Sequence, residues 1–211
     1  PAITGRVFLL LSFAGDMTTW VKPFYYHGLS IGNQLSSSAG SLDLDAVTSA
    51  TPLVTGTESL SNLFLGNVGG CIGETSALAL LLGGLFLIFT RVISPSTPIA
   101  YLGSLGILTF FHALATGGSL TEVPYALLSG GVMIGAFFMA TDYVTTPITT
   151  KGKWIFGIGC GILTFVIREF ASMPEGCSFS ILLMNLLTPY IDKFTMTKPL
   201  GAKPIKQKEE A

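Results

Sequence analysis

The stretch Leu60–Phe89, "LSNLFLGNVGGCIGETSALALLLGGLFLIF", decides how the rest of the chain is read. Its second half is apolar enough to lie in lipid, and a run of about 20 such residues crosses a bilayer. Ile72–Phe89 meets that length. Ahead of it and into its start stand Gly66, Gly69, Gly70 and Gly73, beside the polar Glu74, Thr75 and Ser76. Glycine-rich backbone at membrane depth is tolerated only where protein buries it or where it lines a cavity. The pattern predicts a short half-helix over Ser59–Leu65, then a turn, then the span. That is the plan of a transporter-like core rather than a simple bundle.

Working outward, Thr97–Ala115 and Val123–Ala140 are also long apolar runs. Trp154–Phe170 and Cys177–Ile191 are shorter and gain weight from standing in series, separated by turn-rich connectors such as "ASMPEG". With the apolar start Ile3–Phe13, this makes one partial and five full spans. All must be helical, because lipid offers no partner to an exposed backbone group. Composition agrees: the 211 residues are 49% hydrophobic and 11% charged, with a mean hydropathy of +0.65. Soluble domains carry about 25% charged residues, so the reading is an all-α integral membrane protein. A net charge of −1 argues against nucleic acid as a partner, which needs a concentrated basic face.

The opening "PAITGRVFLLLSFAG" has no charged n-region and no small-residue cleavage site, so it is no signal peptide. It is read as the C-terminal part of a longer chain. The expected division is 1–15 as a last helix of an earlier repeat, 16–70 as a long loop with the half-helix, 71–192 as a five-span unit and 193–211 as a tail. If the loop is external, Arg91, Lys151, Lys153 and the tail lysines 193, 198, 203, 206 and 208 fall inside. Lys22 and Arg168 then fall outside, an asymmetry that follows the positive-inside rule.

Several polar residues need an account. Cys71, Cys160 and Cys177 are widely spaced, unlike the close thiolates of zinc or iron–sulfur sites, and read as small apolar fillers. Asp142 ends a span beside Thr141, Thr145 and Thr146, an oxygen-rich group that suits a hard cation. A helix cap is an equal reading of the same residues. Glu74 caps the break after the half-helix, or it marks an ion or cofactor path, as intramembrane acids often do. Arg168 and Glu169 are read as snorkelling or paired, and His112 as a satisfied interior residue.

The loop segment "DLDAVTSATPLVTG", Asp43–Gly56, is a solvated linker by spacing alone. Its run D-A-V-T-S-A-T-P-L, however, resembles the motif that flavin transferases read when they attach FMN to a threonine as a phosphoester. From there the resemblance spreads along the chain. "NLFLGNVGGCIGETSALALLLGG", "GAFFMATDYVTTPITTKGKWIFGIGCGILTFVIRE", "PEGCSFSILLMNLLTPYID" and the start "PAITGRVFLLLSF" look like the D subunit of the Rnf complex, an ion-pumping ferredoxin:NAD+ oxidoreductase. They are more distantly similar to the B subunit of the Na+-translocating NADH:quinone oxidoreductase. Ala46 stands where glycine is common in the motif, and Tyr143 where proline often follows the aspartate.

The resemblance implies an ammonium-transporter-like inverted repeat with a flavin-bearing loop on the outer side of a bacterial or archaeal cell membrane. It implies FMN esterified to Thr51, with Asp45, Ser49, Ala50, Pro52 and Leu53 forming the surrounding motif. A second, non-covalent flavin such as riboflavin is expected, with Glu74 and Thr75 as contacts. Asp142 and Thr141 become candidate contacts of the coupling ion, Na+ or H+. The implied partners are the other Rnf membrane subunits, especially the external flavin-bearing G subunit, a flavin transferase and membrane lipid. Electrons would pass from that neighbour to the FMN and onward to the second flavin. The alternatives are the quinone-reducing relative, a non-redox transporter or channel of the same fold, and a protein that only anchors its neighbours.

Overall fold

The computed structural model describes residues 2–13, 20–21, 48–49, 59–66, 75–171 and 176–196. The chain begins with α1 (Ala2–Ser12), followed by β1 (Trp20–Val21) and β2 (Thr48–Ser49). Then come α2 (Leu60–Leu65), α3 (Ala77–Phe89), α4 (Ser96–Thr116) and α5 (Glu122–Leu128). α6 (Val132–Met139) follows, its last five residues Gly135–Met139 wound as a π-helix. α7 (Thr150–Phe170) and α8 (Gly176–Thr195) complete the described chain. Among the described residues, the expected all-α chain carries one exception, an antiparallel ladder pairing Trp20 with Ser49 and Val21 with Thr48.

Local chemistry explains where the helices begin and end. Ser76 caps α3 by accepting from the Ala79 N–H at 3.3 Å, and Thr149 caps α7 through the Gly152 N–H at 3.0 Å. Gly117 ends α4 in the left-handed region, at φ 71, which costs glycine nothing. The half-helix expected over Ser59–Leu65 forms as α2, with Ser59 at its N-cap and Gly66 at φ 97 after its last residue. A Cβ at Gly66 would lie 2.8 Å from that of Ser76. Gly66 and Ser76, which flank residues 67–74, therefore lie against each other.

The apolar surface is arranged for lipid. Phe89 is 88% exposed and Phe170 79%, while Tyr101, Leu105, Phe156 and Ile181 are fully buried. The buried set draws α1, α4, α6, α7 and α8 around one core, and a smaller cluster joins Ala77 on α3 to Met133 and Phe137 on α6. α7 lies between α4 and α8. Its Gly157 and Gly161, one helical turn apart, let the α4 backbone approach. A Cβ at Gly157 would stand 2.8 Å from the Thr97 carbonyl oxygen, and one at Gly161 would stand 2.8 Å from that of Tyr101.

Two expected spans are corrected. Among the described residues, α4 and α7 are each long and apolar enough to cross a membrane. The run Val123–Ala140 is not one continuous helix: α5 and α6 meet at 64° across Ser129–Gly131, and make a third span only if taken together. Gly130 adopts φ 66 there, which ends α5 without steric penalty. Within Ile72–Phe89, the helix occupies Ala77–Phe89, 13 residues, or about 20 Å at the usual rise. That is shorter than the hydrocarbon core of about 30 Å. α8 has the length, at 20 residues, but Asn185, Asp192 and Lys193 keep it less apolar than α4 or α7.

The break is chemically closed. Arg168 on α7 donates through Nη1 to the Ala126 carbonyl at 2.7 Å and through Nη2 to that of Ser129 at 3.1 Å. Cys177 on α8 donates Sγ–H to the Gly131 carbonyl at 3.4 Å. Carbonyls freed where a helix breaks must find donors in lipid; Arg168 supplies them for Ala126 and Ser129, while the Gly131 carbonyl also accepts the Gly135 N–H at 2.8 Å as the first bond of α6. Arg168 is thus paired, as expected. His112 departs from expectation: its side chain is 40% exposed, with Nε2 3.8 Å from a Glu169 carboxylate oxygen. Its ring also stands edge-on to that of Phe165, with centroids 5.7 Å apart, so His112 lies half-exposed at the edge of the face that packs on α7.

Candidate functional site

The sequence pointed to two places, and the structure reaches them unequally. Thr51, Asp45, Ala50, Pro52, Leu53 and Glu74 lie outside the described residues, as do Cys71 and the tail after Met196. Ser49 enters through its backbone in β2, where it pairs with Trp20. The ladder joins the chain shortly after α1 to the chain two residues before Thr51. Thr75 is half-buried beside the Ser76 cap.

The second place is built from the end of α6. The π winding closes with the Ala140 N–H on the Gly135 carbonyl at 2.7 Å, and the Thr141 hydroxyl donates to Phe137 O, also at 2.7 Å. Insertions of this kind are frequent at functional sites. Asp142 follows and organises the next turn. Its backbone carbonyl accepts the Thr146 hydroxyl at 2.6 Å. Its carboxylate accepts the Val144 N–H and the Thr145 hydroxyl, each at 3.4 Å. Both are long for hydrogen bonds and leave the carboxylate free to take a closer partner. Tyr143, which stands where the family pattern often has proline, is exposed, and its hydroxyl donates to the Val92 carbonyl.

Three residues of α8 hold this turn. Thr188 donates its hydroxyl to the Thr145 carbonyl at 2.9 Å. Asp192 accepts the Ile148 N–H at 3.1 Å, and the Thr149 hydroxyl donates to that of Thr195 at 2.7 Å. A cavity of about 390 Å³ opens where the start of α1, the end of α6 and α8 meet. Ala2, Ile3, Phe138 and Met139 form its apolar wall, and Asp142, Thr145 and Asn185 its polar one. Thr141 is not among the lining residues. Among the described residues, Asn185 Oδ1 is buried without a hydrogen-bond partner, which costs free energy unless something else is bound there.

Asp142 was legible in the sequence, and Thr145 stood in its neighbourhood. Asn185 was not singled out, because it sits inside an apolar run where one amide is easily passed over. The available signal was the polar spacing Asn185, Thr188, Asp192, which puts all three on one face of a helix.

A family model described as the NQR2, RnfD, RnfE family matches residues 1–201. The chain is 44% identical to the D subunit of the Na(+)-translocating ferredoxin:NAD(+) oxidoreductase complex of Acetobacterium woodii, over 100% of this chain and 61% of that protein. It is 42% identical to the D subunit of the proton-translocating ferredoxin:NAD(+) oxidoreductase complex of Clostridium ljungdahlii, over 96% of this chain and 61% of that protein. A third relative, the D subunit of the ion-translocating oxidoreductase complex of Stutzerimonas stutzeri, is 39% identical over 95% of this chain and 62% of its own length. The chain thus spans about three fifths of the length of these relatives. With the match running from the first residue almost to the last, the chain belongs to the NQR2, RnfD, RnfE family.

Proposed function

We propose that this chain is part of the electron-carrying D subunit of an Rnf-type ferredoxin:NAD+ oxidoreductase in the membrane, with FMN esterified to Thr51 and redox chemistry coupled to movement of Na+ or H+. The observation that carries the reading is the run Asp45–Leu53, D-A-V-T-S-A-T-P-L, in a chain 44% identical to a protein of that name. Bound flavin exchanges one or two electrons at a potential that its surroundings set.

The chain's own residues have definable tasks in this reading. Thr51 supplies the hydroxyl oxygen of the ester, and Asp45 belongs to the surface that a flavin transferase reads. The Trp20–Ser49 ladder restrains the chain just before Thr51, so a group tethered there stays near the base of the loop. The loop faces the external side and the tail the cytoplasm, with the G subunit as the neighbour at the loop. Glu74 and Thr75 contact a second flavin such as riboflavin, within an ammonium-transporter-like repeat. Asp142 opens onto the path of the coupling ion. The names of the relatives include both a Na+- and a proton-translocating complex, so either ion fits.

The test is peptide mass spectrometry of the segment containing Thr51, from protein made in its native host. A mass gain of FMN less water on Thr51, lost in Thr51→Val, supports the reading. An unmodified Thr51, in a host whose other flavinylated proteins are modified, overturns the electron-carrier assignment and favours a non-redox transporter.

A further inference from the structure

Resting on the reading of Asp142 as an ion-path residue, we infer that Asn185 is a cation ligand, and that with Asp142 and Thr145 it forms a binding site for a partly hydrated Na+ in the cavity between α1, α6 and α8.

Three observations converge on Asn185. It stands on the same face of α8 as Thr188 and Asp192, and those two are engaged with the backbone of the turn at Thr145 and Ile148. Asn185 lies one helical turn before Thr188, at the cavity wall, and its buried Oδ1 has no hydrogen-bond partner among the described residues. The third observation is Pro189, inside α8 and four residues further on. Proline has no N–H, so the Asn185 backbone carbonyl loses its normal helical donor. Asn185 thus pairs a side-chain oxygen that has no partner among the described residues with a backbone carbonyl deprived of its usual helical donor.

The remaining polar wall completes the set. Asp142 brings a carboxylate whose two internal hydrogen bonds are both at 3.4 Å. Thr145 brings a hydroxyl whose lone pairs stay available while its proton points to that carboxylate. Amide carbonyl, hydroxyl and carboxylate oxygens are the ligands of hard cations, and no imidazole or thiolate stands among the lining residues, whose one sulfur, that of Met139, belongs to the apolar wall. A single negative charge matches a monovalent ion. The volume, about 390 Å³, exceeds that of a bare ion many times over. At roughly 30 Å³ per water, the ion keeps part of its hydration shell, which allows it to leave again.

The experiment is ²²Na+ binding to the intact complex, purified from its native host and held in lipid nanodiscs, with unlabelled Na+ and choline as competitors. Wild type, Asn185→Leu, Asn185→Asp, Pro189→Ala and Asp142→Asn are compared. The inference expects Asn185→Leu and Asp142→Asn each to weaken Na+ binding by roughly tenfold or more. Pro189→Ala, which restores the missing N–H, weakens it several-fold. Asn185→Asp, which folds as a near-isostere and keeps an oxygen in place, binds at least as tightly as wild type. Weakening by Asp142→Asn alone overturns the role of Asn185 and leaves the Asp142 reading intact. Weakening by Asn185→Leu with no effect of Asp142→Asn keeps Asn185 and overturns the reading on which it was built. Wild-type complex that takes up no displaceable ²²Na+ overturns both.

Discussion

The Arg168 guanidinium and the Ser129 carbonyl, 39 residues apart in sequence, meet at 3.1 Å across the break between α5 and α6. The same guanidinium holds the Ala126 carbonyl. Arg168→Met leaves both carbonyls without their donor in a low-dielectric setting, at a cost of about 2–4 kcal/mol. The purified protein should lose several degrees of thermal midpoint in detergent. Arg168→Lys recovers only part, because one ammonium lacks the planar fork that reaches two carbonyls. Equal stability in all three proteins would show that the break holds without Arg168.

Gly161→Ala tests the seam between α4 and α7. The added Cβ would stand 2.8 Å from the Tyr101 carbonyl oxygen and 3.0 Å from the Leu105 nitrogen. Backbone on the opposing helix cannot rotate aside as a side chain would. The expected cost is about 1–3 kcal/mol, seen as earlier loss of the monodisperse peak on heating. Gly103→Ala, where an added Cβ meets nothing within 4 Å, is the matched control and should be neutral or slightly stabilising.

The buried hydroxyls of Tyr101, Thr164 and Ser180 form a connected set. Tyr101 Oη and Thr164 Oγ1 are 2.7 Å apart, as are Thr164 Oγ1 and Ser180 Oγ. A double-mutant cycle on Tyr101→Phe and Thr164→Val should give a coupling energy of about 0.6 kcal/mol and no more than about 1.7, the range for interhelical hydrogen bonds in membranes. The modest value follows because Thr164 also donates to the Cys160 carbonyl at 2.8 Å, and Ser180 to that of Cys177 at 2.8 Å. Strict additivity would mean that the three hydroxyls do not act together.

The pairing of Trp20 with Ser49 can be trapped. Residues opposite one another in an antiparallel ladder have Cα atoms about 4.5–5.5 Å apart, within the span a disulfide bridges. Trp20→Cys with Ser49→Cys should cross-link under mild oxidation, detected as a mobility shift that reductant reverses. Trp20→Cys with Thr48→Cys, one residue out of register, should cross-link less. The opposite preference would place the loop in another register.

Much of this protein is readable without coordinates. Apolar runs long enough for lipid can only be helical, since no other local structure satisfies its own backbone there. Ser59 and Gly66 bound the half-helix, and the density of hydroxyls before Pro52 marks the loop segment as a distinct feature. These are properties of neighbours in sequence: periodicity, capping and the steric freedom of glycine.

Tertiary structure alone decided the rest. Val123–Ala140 reads as one largely apolar run, and Ser129-Gly130-Gly131 permits a turn within it without fixing whether the chain bends there, let alone by 64°. The bend persists because Arg168 on α7, far along the chain, satisfies the carbonyls it frees, and Cys177 on α8 adds a contact to Gly131 at the start of α6. The position of Asn185 likewise acquires meaning only when the turn after Asp142 docks on α8, engages Thr188 and Asp192, and leaves the amide oxygen at the cavity wall. A sequence states which groups can form hydrogen bonds; which of them are left without a partner depends on what the fold brings beside them.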